Sequence, residues 1–152
     1  MHDAGRVLIE EATAASHDVV EGLARLVPQL SSSAPAPSAE AVGDIAASPA
    51  TVLFVARLED GGPVVGALTL VVFRIPTGLR ALIEDVVVDG SVRGRGVGAG
   101  LTRAALARAR EMGCRNVDLT SRPSREAANR LYQRLGFVAR ETNVYRMDLD
   151  DA

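Results

Sequence analysis

The chain has 152 residues, 47% hydrophobic and 24% charged, which suits one folded domain of ordinary size and is too apolar for a disordered segment. All 17 basic residues are arginine and the formal net charge is −2. A single cysteine excludes an internal disulfide framework, and the longest apolar run, residues 64–73, is about half of what a membrane-spanning helix needs.

Met1, His2 and Asp3 begin no cationic segment with an apolar follow-on, so no secretory signal is expected. With Cys114 alone, the expected compartment is the cytoplasm and the expected state a free, buried thiol. Only His2 and His17, both far upstream, could partner it in catalysis. Val7, Leu8 and Ile9 predict a short strand. From about Ser16, apolar residues Val19, Val20, Leu23, Leu26, Val27 and Leu30 recur at helical spacing. Pro28 is expected to end or bend that helix in its last turn. Residues 31–37 form a polar Ser/Pro/Ala segment, and Ser38 is placed to cap a second helix through Ala47.

Residues 51–57 and 64–73 read as strands joined by the turn signal Glu59-Asp60-Gly61-Gly62-Pro63. Both are continuously apolar, which predicts a sheet covered on both faces. Pro76, Thr77 and Gly78 turn the chain into a third strand beginning near Arg80. That strand carries Ile83, Val86, Val87 and Val88, interrupted by two acids, Glu84 and Asp85. Acids in an apolar strand are costly unless they have partners or a task.

Gly94, Gly96, Gly98 and Gly100 then alternate, flanked by Arg93 and Arg95, and open into a helix over residues 97–112. Such a loop admits positive φ and close ligand approach, and the helix start adds unpaired N–H groups. The combination reads as an anion site for a diphosphate. Residues 93–134 carry ten arginines against three acids, a field suited to a polyanion. The absence of lysine excludes a P-loop. A dinucleotide site fits loosely through Gly94, Gly96 and Ala99. However, five residues separate strand from loop, and Asp118 falls at the start of the next strand, residues 116–121, where that fold needs an acid at the end. Few aromatics and an acidic total speak against nucleic acid. A last helix starts at Pro123-Ser124, with Ala127, Ala128, Leu131 and Leu135 on one side, and closes at Gly136.

Arg93-x-x-Gly96-x-Gly98, followed by the strand near Val117 and by Leu131-Tyr132 and Leu135-Gly136-Phe137, resembles the GNAT N-acetyltransferase superfamily. The likeness covers roughly the last two thirds of the chain. Residues 83–88 are similar to the corresponding strand of glucosamine-phosphate acetyltransferases, and equally to what bacterial relatives with unassigned amine substrates could carry. The resemblance implies a single GNAT domain over residues 1–152, of mixed α/β class. Its mostly antiparallel central sheet would have splayed parallel strands at the acetyl-CoA site, about four flanking helices and a last strand near residues 144–149.

It further implies direct transfer of an acetyl group from acetyl-CoA to a primary amine, without a metal. The backbones of Val86, Val87 and Val88 would pair with pantetheine. Those of Gly94, Arg95, Gly96, Val97, Gly98 and Ala99 would hold the pyrophosphate, with Arg93 beside them. Tyr132 takes the place of the acid that protonates the departing sulfur. Where the family often has Asn, this chain has Arg125; Asn129, four residues on, shares that helical side. For the base, Glu84 is chosen, since a carboxylate beside the gap can take the amine proton. Asp85 points to the other face of a regular strand unless a bulge intervenes, and either acid can equally pair with an arginine. Thr120 stands where some relatives carry a base and cannot serve as one. Asn143 and Tyr145 are candidate acceptor contacts. The expected partner is a small-molecule or peptide amine, with neither nucleic acid nor membrane, and a homodimer is one option. The different-class alternative is a non-catalytic acyl-CoA sensor or interaction module.

Overall fold

The computed structural model describes residues 6–150, in two units that meet at Thr120 and Ser121 in the chain. In the first unit the β-branched and aliphatic runs become strands β1 (Leu8–Glu11), β2 (Thr51–Arg57), β3 (Gly66–Ile75), β4 (Gly78–Val88) and β5 (Val117–Asp118). They lie side by side in chain order, antiparallel from β1 to β4 and parallel between β4 and β5. The β2–β3 connection closes where the turn residues predict, with the Gly62 N–H donating to the Glu59 carbonyl at 3.0 Å.

Alternation along β2 and β3 explains their unbroken apolarity. Leu53, Val55 and Ala67 face one way, against Val19, Leu23 and Leu26 of α1 (His17–Leu30) and Val42 of α2 (Ala39–Ala47). Phe54, Ala56, Leu68 and Leu70 face the other, beneath α3 (Val97–Glu111), whose Leu101, Ala105 and Ala109 form the expected buried stripe. Leu26, Leu68, Leu70 and Leu101 are fully buried. Each contributes about 1.5–3 kcal/mol relative to exposure. Arg57 ties the edge of this sandwich together. Its guanidinium pairs with Glu10 on β1 at 3.0 Å and with Asp18 on α1, and donates to the Gly62 carbonyl at 2.7 Å.

Local signals mark most helix ends correctly. The Ser38 hydroxyl accepts from the Ala41 N–H at 3.1 Å, and α3 closes at Gly113, where the Cys114 N–H reaches back to Ala109. At Pro28, α1 does not stop; it runs on to Leu30. Proline at position 28 forfeits one backbone bond, the one its N–H would make to the Ala24 carbonyl, while Val27 and Leu30, packed against the core on either side of it, hold the last turn.

Among the described residues of the second unit, one element is regular, α4 (Glu126–Arg134). Pro123 and Ser124 form a turn ahead of it instead of its first residues, and Ala127 is exposed where Ala128, Leu131 and Leu135 are half-buried. The strand expected over residues 144–149 is not formed. Val144, Tyr145, Met147 and Leu149 are 73–87% exposed. Alternation decides which side chains share a face, but a strand exists only where a second edge accepts its backbone bonds. Among the described residues no helix is long and apolar enough to cross a membrane.

Candidate functional site

β4 is paired with β3 along nearly its whole length, yet with β5 only at Ala81–Val117 and Leu82–Asp118. The strand expected to run to residue 121 therefore stops two residues after it starts. Past Leu82 the parallel strands part, and residues 83–88 present one edge that no described strand takes up. The Asp89 N–H turns inward to the Val65 carbonyl at 2.8 Å. Backbone alternation from that point aims the amides of Val88 and Val86 at the open edge. Val87 is a core side chain packed with α1, whereas Val86 and Val88 are half-buried.

A bulge sits in the middle of this edge. Register passes from Thr69↔Glu84 to Ala67↔Val87, so Leu68 alone opposes both Asp85 and Val86. Asp85 takes φ +49°, a left-handed conformation that aspartate tolerates better than most residues. The extra residue resets the alternation, and Glu84 and Asp85 are both exposed. Among the described residues neither is ion-paired, so the arginine pairing open to them is not made.

The strand leads into a 3-10 turn, Gly90–Val92, held by Asp89. Its carboxylate accepts from the Ser91 N–H at 3.0 Å and the Ser91 hydroxyl at 2.9 Å. These bonds, the backbone one first, keep its pKa below the ordinary carboxylate value. Gly94 and Gly96 follow with φ +81° and +78°, and a Cβ on either would meet no atom within 4 Å among the described residues beyond its chain neighbours. The backbone there is both left-handed and open, a cradle that side chains would fill. Gly96 is the N-cap of α3 and supplies no side-chain cap. The first bond within the helix runs from the Gly100 N–H to the Gly96 carbonyl at 2.9 Å, leaving the amides of Val97, Gly98 and Ala99 as the unpaired first turn. Arg93 and Arg95 are exposed and, among the described residues, not ion-paired.

Glu84, Val86–88 and the residues from Arg93 to Ala99 thus lie along one continuous strand, loop and helix start. Tyr132, Arg125 and Asn129 lie on and just before α4, in the second unit. The Tyr132 ring meets Phe137 edge-on at 5.8 Å, and burial pushes its hydroxyl pKa up against an opposing pull from Arg125. Asn129 donates to the carbonyls of Arg122 and Arg125 at 2.9 and 2.8 Å, so its amide hydrogens hold the first turn of α4 and its oxygen alone is left for a ligand. Asn143 donates to the Tyr145 hydroxyl at 3.3 Å, both exposed. Cys114 is half-buried, His17 lies 3.3 Å from Glu21, and His2 falls outside the described residues.

Two features of the loop escape a reading of the sequence. Gly66 touches the first turn of α3, and the lone glycine in an apolar strand was a signal of close backbone approach. Gln29 of α1 accepts from the Gly90 N–H at 2.9 Å, a contact across 61 residues that no local pattern announces.

The acetyltransferase (GNAT) family model matches residues 21–137. A glucosamine 6-phosphate N-acetyltransferase of Trypanosoma brucei brucei is 38% identical over 94 residues, which are 60% of this chain and 61% of that protein. The match therefore spans less than two thirds of that relative's length. Among solved structures, an acetyltransferase of Trypanosoma brucei is 27% identical with a TM-score of 0.76, covering 95% of this chain and all of that one. A putative acetyltransferase of Agrobacterium tumefaciens is 28% identical with a TM-score of 0.78, covering 93% and 99%.

Proposed function

The chain belongs to the GNAT acetyltransferase family, and from that premise we propose that it is an N-acetyltransferase using acetyl-CoA and a primary amine in one ternary complex. The observation that carries this reading is the parting of β4 and β5 after Leu82, next to the bulge and directly before the glycine loop. An unpaired strand edge can take up an extended amide-bearing ligand as an added strand. A left-handed, open glycine loop at a helix start suits the phosphates at that ligand's far end.

Acetyl-CoA would supply the acyl group as an activated thioester. The amides of Val86 and Val88 hold the donor's pantetheine, and one of them donates to the thioester oxygen as negative charge develops there. The amides from Gly94 to Ala99 bind pyrophosphate, with Arg93 and Arg95 adding charge. Glu84 accepts the proton that the attacking nitrogen gives up, directly or through one water. As the C–N bond forms and the C–S bond breaks, the Tyr132 hydroxyl passes its proton to the sulfur and regains one from solvent. A tyrosine hydroxyl, with an ordinary pKa of about 10, carries its proton at neutral pH, as that role requires. Arg125, or the oxygen of Asn129, touches the coenzyme. A single domain, a cytoplasmic location and a small-molecule or peptide acceptor complete the reading, with glucosamine 6-phosphate the first acceptor to try on the strength of the 38% relative.

The test follows free thiol released from acetyl-CoA over a panel of amino sugars, aminoglycosides, polyamines and peptides. Thiol release dependent on one of these amines is expected. Coenzyme A binding with no turnover across the panel would favour the acyl-CoA sensor, and failure to bind coenzyme A would remove both.

A further inference from the structure

Beyond the loop itself, its attachment to α1 carries a role that rests on the coenzyme reading above. Gly90 opens the 3-10 turn that Asp89 caps, directly after the open edge of β4, so a bond at its N–H fixes the point from which the loop leaves the strand. That bond is made to the side-chain oxygen of Gln29, in the last turn of α1, at 2.9 Å. The side-chain nitrogen of Gln29 in turn donates to the Arg25 carbonyl at 3.3 Å, which holds the amide group oxygen-outward toward Gly90. Arg25 is itself fixed, donating to the Val64 carbonyl at 2.9 Å, while the next residue, Val65, accepts from the Asp89 N–H at 2.8 Å. Arg25 and Gln29 thus brace the base of the loop from one side, and Val64 and Val65 at the entry to β3 brace it from beneath.

We propose that Gln29 is a positioning residue for coenzyme binding, pinning Gly90 so that Gly94, Gly96 and the first turn of α3 meet the pyrophosphate in one preset arrangement. Gln29 is exposed and lies outside the core cluster, so its bond contributes little to global stability, yet among the described residues it is the side-chain hydrogen bond that ties residues 90–96 to another element. Preorganisation of this kind acts on affinity by reducing the ordering cost at binding. The loss of one such bond corresponds to about a three- to tenfold weaker complex.

The experiment titrates coenzyme A by calorimetry into the full chain as wild type, Gln29→Met and Gln29→Glu, and records amide hydrogen exchange over residues 89–100 in each. Methionine keeps the length and helix propensity but offers no strong acceptor, whereas glutamate keeps an acceptor oxygen. In Gln29→Met, coenzyme A should bind about three- to tenfold more weakly and KM for acetyl-CoA should rise to match. The kcat should stay near wild type, and the Gly90 amide should lose protection while residues 101–109 keep theirs. Gln29→Glu, which keeps the acceptor oxygen but loses the bond to Arg25 and faces the Asp89 carboxylate, should recover part of the Gly90 protection lost in Gln29→Met. Wild-type binding matched by Gln29→Met, or Gly90 exchange unmoved in that variant, overturns the positioning role and leaves the acetyltransferase reading standing. No binding by wild type removes that reading and the inference with it.

Discussion

Gly66→Ala tests whether α3 is seated on the sheet in the way that the loop requires. A Cβ at position 66 would stand 2.7 Å from Val97 Cγ1, 3.1 Å from Leu101 Cδ1 and 3.3 Å from the Val87 carbonyl oxygen. Favourable carbon contacts lie near 3.5–4.0 Å, so the nearest of these is short by about 1 Å. None of the three neighbours yields easily. Val97 and Leu101 are 2% and 0% exposed, and the Val87 carbonyl belongs to the β3–β4 pairing that matches Gly66 with Val88. Overpacking of this kind costs about 1–3 kcal/mol. For a chain of this size each kcal/mol lowers Tm by about 2–4 °C, which predicts a fall of roughly 2–12 °C. The strain falls on the first residue of α3, so coenzyme A affinity should weaken along with stability. Differential scanning calorimetry and calorimetric titration measure the two effects. Gly43→Ala is the control: its Cβ would meet only Ala15 at 3.8 Å, and alanine within α2 should be neutral or stabilise by about 0.5–1 kcal/mol. A Gly66→Ala protein as stable as wild type would refute the close seating of α3.

Tyr132→Phe should lower kcat by about 10²-fold or more with coenzyme A affinity nearly unchanged, read by steady-state rates beside a binding titration; an unaltered kcat strikes Tyr132 from the mechanism. Glu84→Gln should lower kcat by a similar factor while Tm stays within about 2 °C, because the side chain is exposed and makes no ion pair among the described residues; full activity would pass the base role to Asp85 or water. Acid should destabilise the fold through Asp18, whose pKa is lowered first by the Ser16 hydroxyl and then by Arg57. A carboxyl depressed in the folded state adds stability above its unfolded pKa of about 3.9 and loses it as pH falls through the folded value. A pH series of Tm should therefore show a drop below about pH 4 that Asp18→Asn makes shallower, and an identical acid slope in both proteins would reject the assignment.

Much of the fold was legible because its signals are local. The cap at Ser38, the stop at Gly113 and the turn at residues 59–63 each act within a few residues, and the structure repeats them. The apolar stripe of α3 needed only its own periodicity. Misplaced elements were those whose existence depends on a partner. Residues 144–149 have strand alternation but no pairing among the described residues, and β5 is cut to two residues where β4 parts from it. The site divides along the same line. Glycines at positions 94 and 96 announce an open backbone from composition alone, whereas Gln29 meets Gly90 only because α1 lies against the strand that carries it.

What the sequence settled by itself was the alphabet of the site: strand, acids, alternating glycines and helix start, all between Ile83 and Gly100. What only the tertiary structure decided was the space between those parts. The left-handed Asp85 at the bulge and the early end of β5 open an edge on β4, and both follow from how neighbouring strands share backbone hydrogen bonds, a property no single stretch of chain contains.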